Sequence, residues 1–185
     1  MNYRISRLII LLTISCAAAI WLVLFAARGV GLNSPLTAFC AVGVALGIVV
    51  LNSSAIHWSL PKALKPIRAW ESSGAAYVLL GVSICGALLR RPPFRSFNTS
   101  VYAGEHCANL GKTYASILKA ETAHFWALTF TAPLICYEIT CQYWQGLVWL
   151  ILFNALFNIY PGLHLRKVRA RLEPLMMRRG RNEKR

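Results

Sequence analysis

A glutamate and a histidine three residues apart, Glu121 and His124, stand where the chain turns apolar, in Ala120-Glu121-Thr122-Ala123-His124-Phe125-Trp126. On a helix that spacing puts both side chains on one face, within reach of each other. A carboxylate beside an imidazole can hold and move a proton near neutral pH, and an ionisable pair facing the interior of a membrane bundle is costly and usually functional. The competing account is an interfacial glutamate in the first turns of a helix and a histidine that snorkels to water. A second polar set, Asn158, Tyr160, His164 and Arg166, closes the last apolar block. Its plainer account makes Tyr160 an aromatic-belt residue, Pro161-Gly162 a helix stop, and the residues from Arg166 onward a topology signal and lipid-binding tail. Di-iron bundles need two Glu-x-x-His pairs and two further carboxylates, and zinc proteases need His-Glu-x-x-His. Neither pattern is present.

The elements that must position these residues are membrane elements. The chain has 185 residues, 57% hydrophobic and 14% charged, too little polar surface to cover a water-soluble core of this size. Leu8–Ala27 is twenty residues without a charge, about the length that crosses a bilayer core of roughly 30 Å. Gly29–Pro61 is also free of charge and densest from Leu36 to Ile56; Thr122–Tyr137 and Ile139–Leu165 are the third and fourth blocks. The first block is longer than a secretory apolar region, and Cys16 lacks the small residue expected before a lipoprotein cysteine, so it reads as an uncleaved anchor. The six cysteines show no Cys-x-x-Cys pair and no metal-ligand spacing, and are assigned no chemistry.

Lys and Arg set the orientation, because short basic loops stay cytoplasmic. They cluster at Arg4 and Arg7, from Lys62 to Arg95, and from Arg166 to Arg185, the last stretch holding nine basic residues against two Glu. Four spans, at about 8–27, 36–56, 120–138 and 143–164, with both termini in the cytoplasm, satisfy every loop. The predicted fold is therefore an all-α integral membrane bundle forming a single domain over 1–185, with a basic cytoplasmic tail at 166–185. Ser72–Leu89 is uncharged but bracketed by Lys65 and Arg68 on one side and Arg90, Arg91 and Arg95 on the other. It reads as a re-entrant or interfacial helix against the cytoplasmic leaflet. The third helix is expected to begin ahead of the membrane, near Thr113. Only sixteen uncharged residues separate Glu121 from Glu138, roughly 24 Å of helix, so both glutamates are expected near the headgroups.

Taken together, these residues resemble the glycosyl-4,4'-diaponeurosporenoate acyltransferase family, small bacterial membrane enzymes of the staphyloxanthin-type carotenoid pathway. Ala-Glu-x-x-His at 120–124 is followed by Asn158, Pro161 and the basic run Arg166-x-x-Arg169-x-Arg171-Leu172. Trp70-Glu71-x-x-Gly74-x-x-Tyr77 with Gly81-Val82 is similar to the family's middle motif, and the layout of anchor, cytoplasmic middle and C-terminal span pair agrees. The resemblance implies transfer of a fatty acyl group to a sugar hydroxyl of a glycosylated lipid. On that reading His124 is the base, Glu121 orients its imidazole, and Asn158 donates to the oxyanion. Arg166, Arg169 and Arg171 would suit the phosphates of an acyl-CoA or acyl-carrier donor. Tyr160, His164, Glu71 and Tyr77 are further substrate-binding candidates. No serine or cysteine stands out as a nucleophile, so direct transfer is expected, with no cofactor or metal beyond the acyl donor. The partners are the bilayer, the glycolipid acceptor and the acyl donor; nucleic acid is not expected, since topology accounts for the +14 charge. The alternatives are a non-catalytic assembly or partner protein with a lipid-binding tail, and a methyltransferase, which would need a glycine-rich cofactor loop.

Overall fold

A computed structural model describes residues 24, 27–54, 58–72, 74–89, 91 and 110–182. The first predicted span, save for its last residues, and the segment 92–109 with Cys107 lie outside them. Among the described residues the secondary structure is entirely helical. The chain divides into two compact units: one contains Met1–Trp58 and Ala123–Ile159, the other Ser59–Thr122 and Tyr160–Arg185.

The first unit is built on helix α1, Pro35–Leu51. Ser34 caps it, its hydroxyl accepting from the Leu36 N–H, and Pro35 occupies the first turn, where no N–H is needed. Asn52 closes the other end, its side-chain amide donating to the Ile48 carbonyl at 2.8 Å. A 3-10 turn, Asn52–Ser54, follows the helix, and residues 55 and 56 of the predicted span lie outside the described residues. The expected third span belongs to a longer helix that begins at Leu110, ahead of the apolar block as expected, and runs to Thr140. Four of its threonines, at 122, 129, 131 and 140, return their hydroxyls to carbonyls three or four residues back. In apolar surroundings this satisfies a polar group within its own helix. A tight turn at Cys141–Gln142, with Gln142 at φ 58°, leads into Trp144–Asn154. The small side chains Ala38 and Ala41, with Val42, pack against Leu150, which lets α1 and the Trp144–Asn154 helix approach closely.

In the second unit the predicted single helix over 72–89 is three short pieces: Ala69–Ser72, Ala75–Leu79 and Val82–Leu89. Gly74 at φ 73° and Gly81 at φ 69° separate them, in a conformation that costs glycine nothing and other residues a steric penalty. All three pieces pack on the final helix, Tyr160–Asn182. In chain order after α1, the three pieces are α2, α3 and α4, Leu110–Thr140 is α5, Trp144–Asn154 is α6 and Tyr160–Asn182 is α7.

Pro161 and Gly162 do not end a helix. A π-helical turn, Ala155–Ile159, joins α6 to α7 and puts Pro161 in the first turn of α7, the position that tolerates a missing N–H. The helical run Trp144–Arg178 is, among the described residues, the one long and apolar enough to cross a membrane. α1, with 17 residues, is shorter.

Candidate functional site

The second unit holds a buried cluster of ion pairs. Glu71 of α2, Glu121 of α5, and Arg166, Arg169 and Glu173 of α7 meet there, with loop carbonyls between Leu64 and Pro66. Arg166 donates from Nε to Glu71 Oε1 and from Nη2 to Glu71 Oε2 at 3.1 Å, a two-pronged contact. Its remaining N–H groups reach the Leu64 carbonyl at 2.6 Å, the Pro66 carbonyl at 2.9 Å and Glu121 Oε1 at 2.9 Å. Every guanidinium N–H of Arg166 therefore has an acceptor.

Arg169, only 1% exposed, grips Glu121 with Nε at 2.8 Å and Nη2 at 3.2 Å, and donates from Nη1 to the Lys65 carbonyl and to Glu173. Tyr77 and Tyr114 add hydroxyl donors to Glu71 and Glu173. Burial alone would raise the Glu71 carboxyl, but Arg166, the Arg68 N–H and Tyr77 together hold it below its ordinary 4.5. Burial, with Glu71 alongside, pushes the Tyr77 phenol up to about 12, so it remains a neutral donor.

These contacts bear on three expectations. Both oxygens of Glu121, the expected partner of the imidazole, are engaged by arginine. Arg166 and Arg169 cannot receive a donor's phosphates without giving up buried ion pairs. Glu71 and Tyr77, expected at the substrate, bond to each other within the cluster. Arg171 is exposed on α7 and free of those ties. His164 is buried against α4: a Cβ on Gly86 would lie 2.5 Å from its ring, so glycine is required there. Tyr160 is half-buried at the start of α7.

The first unit carries a different polar set. His124, on α5, interacts with the side chain of Asn158 and the main chain of Phe157. Pro161 has no N–H for the Phe157 carbonyl four residues back, which leaves that main chain open to a side-chain donor. Asn158, in the π-helical turn, donates from Nδ2 to Asn154 Oδ1 at 2.9 Å. Asn154 in turn donates to the Leu150 carbonyl at 3.0 Å, and its Oδ1 lies 3.1 Å from the Thr131 hydroxyl. Two buried atoms of this set, His124 Nδ1 and Asn158 Oδ1, make no hydrogen bond of ordinary geometry. A polar atom left open in an apolar interior costs stability.

Glu138, expected near the headgroups, is buried at the far end of α5, where Gly146 leaves room for its carboxyl and the Leu32 carbonyl. Among the described residues no group of three potential metal ligands converges.

Sequence reasoning missed Asn154, Thr131, Tyr114 and Glu173. Asn154 had a readable signal, since Asn154 and Asn158 are four apart in an apolar helix, where amides seek one another. Glu173, four residues beyond Arg169, had another.

No curated protein and no solved structure matches the chain. The sequence profile of the glycosyl-4,4'-diaponeurosporenoate acyltransferase family matches residues 60–178, well over half of the chain. That span contains both polar clusters, from Glu71 to Glu173. The chain thus belongs to the glycosyl-4,4'-diaponeurosporenoate acyltransferase family, a family of acyltransferases.

Proposed function

We propose that the protein is a bacterial inner-membrane enzyme that moves a fatty acyl group onto a sugar hydroxyl of a glycosylated isoprenoid, carotenoid or related glycolipid. The observation that carries this reading is the family match across every candidate site residue. His124 serves as the base. Its imidazole takes the hydroxyl proton as the sugar oxygen attacks the acyl carbonyl of a thioester donor, acyl-CoA or acyl carrier. The carbon–sulfur bond breaks and the imidazolium returns the proton to the departing thiolate. Asn158 supplies the polar group beside the imidazole. Among the arginines of α7, exposed Arg171 suits the donor's phosphates, in place of the saturated Arg166 and Arg169.

The proposed topology is a single membrane domain with four spans and both termini in the cytoplasm, the 72–89 segment lying in the cytoplasmic interface. Two observations support a membrane setting. The apolar run Trp144–Arg178 is mostly exposed, unlike the core helix of a water-soluble protein. The α3 and α4 pieces also expose Leu79 and Ile84, as interfacial helices do.

The test is mass spectrometry of glycolipids and pigments from cells with and without the gene, with membranes carrying His124→Ala in parallel. An ester-linked acyl mass should appear with the wild-type chain and vanish with the variant. Full acyl transfer by His124→Ala at normal expression would overturn the mechanism.

A further inference from the structure

The hydrogen bonds of the first unit form a chain whose polarity is set at one end. The Leu150 carbonyl can only accept, so the Asn154 atom facing it at 3.0 Å must be Nδ2. Asn154 Oδ1 therefore faces the other way, where it meets Asn158 Nδ2 at 2.9 Å. The amide of Asn158 is fixed in turn: its nitrogen is held by Asn154, and its Oδ1 is left buried without a protein donor of ordinary geometry. Thr131 stands beside the junction, its hydroxyl 2.8 Å from the Leu128 carbonyl and 3.1 Å from Asn154 Oδ1. Asn154 and Asn158 are each only 2% exposed, as is Thr131, so water does not compete for these bonds. The side chain that interacts with Asn158 from the other helix is His124.

We infer that Thr131, Asn154 and Asn158 are an orienting relay for His124, in which Asn158 Oδ1 and the neighbouring Phe157 carbonyl share one imidazole N–H and so select one neutral tautomer. The opposite ring nitrogen then carries the lone pair that removes the substrate proton. Asn154 and Thr131 are positioning residues, acting only through Asn158. This amide relay takes over the task that a carboxylate performs in a triad, and it does so without burying an unpaired charge beside the base. The inference rests on His124 being the base of the proposed reaction.

The experiment uses the full chain in detergent micelles, labelled with ¹⁵N-histidine and held at a pH where imidazoles are neutral. There are four histidines, and His124→Gln identifies the resonances of His124. In the wild type these should report one tautomer. Asn154→Ala should convert them to a mixture and lower kcat by about 10²-fold, the scale of a misplaced catalytic group, with KM within about twofold. Thr131→Val should shift the resonances less, and Thr129→Val, on the exposed side of α5, not at all.

Unchanged His124 resonances in Asn154→Ala would overturn the relay. If that variant fails to accumulate, Asn158→Leu decides: a mixture of tautomers upholds the relay, and a spectrum identical to that of the wild type overturns it. Resonances that respond as described in a preparation without acyl transfer would leave the relay standing and remove the catalytic reading instead.

Discussion

The two polar clusters of this protein are equally buried and differently completed. Around Glu71, Glu121, Arg166 and Arg169 the acceptors match the donors, down to loop carbonyls that take the last guanidinium protons. Around His124 and Asn158 the network stops one partner short, with two polar atoms unanswered. A saturated network resists change and holds α2 and α5 to α7. On the proposed mechanism, the incomplete one receives the substrate. The lesson is that charge is a poor guide to which buried group does chemistry: the arginines and glutamates that dominate the motif are bound to each other.

The comparison breaks most readily at Arg169. Arg169→Leu strands the Glu121 carboxylate in a buried site, at a cost of about 3–5 kcal/mol, and should lower thermal stability in detergent or abolish accumulation. His124→Gln, by contrast, should leave the melting temperature unchanged while acyl transfer falls about 10²–10⁴-fold, the usual worth of a general base. Equal loss of stability in both variants would erase the distinction drawn here.

Gly86→Ala comes next, pushing a methyl group into the His164 ring and costing about 1–3 kcal/mol. Glu71 sharpens the contrast by pH. Its folded pKa lies below 4.5, so the stability it contributes is present above 4.5 and lost as pH falls through the folded value. Thermal melts should fall on the acid side, and Glu71→Gln should flatten that limb. Arg171→Ala should be the mildest in stability, within about 0.5 kcal/mol, because the side chain is exposed; on the proposed mechanism it raises KM for the acyl donor.

The helical class and the family were legible because apolar block length and motif order are local properties of sequence. So was the early start of α5, since Thr113 and its neighbours are helix formers. The partner of Glu121 was not. Spacing puts Glu121 one turn from His124, whereas its arginines are 45 and 48 residues away, a distance closed only by packing. The breaks in 72–89 hinge on two glycines whose left-handed backbone is visible in three dimensions but ambiguous in one. Asn154 was legible as the partner of Asn158, four residues on; that Thr131 of α5 joins them was not, since 23 residues separate it from Asn154.

Those glycines also bear on how the chain is made. Unbroken, residues 72–89 would form a helix of about 27 Å, close to the thickness of a bilayer core, and the insertion machinery would meet a plausible extra span. Divided at Gly74 and Gly81, the longest piece, Val82–Leu89, has eight residues and reaches about 12 Å. The number of crossings stays even on the proposed topology, and with it the side of the membrane on which the nine basic residues of the C-terminal stretch finish. On that topology, two residues without side chains set the parity of the crossings.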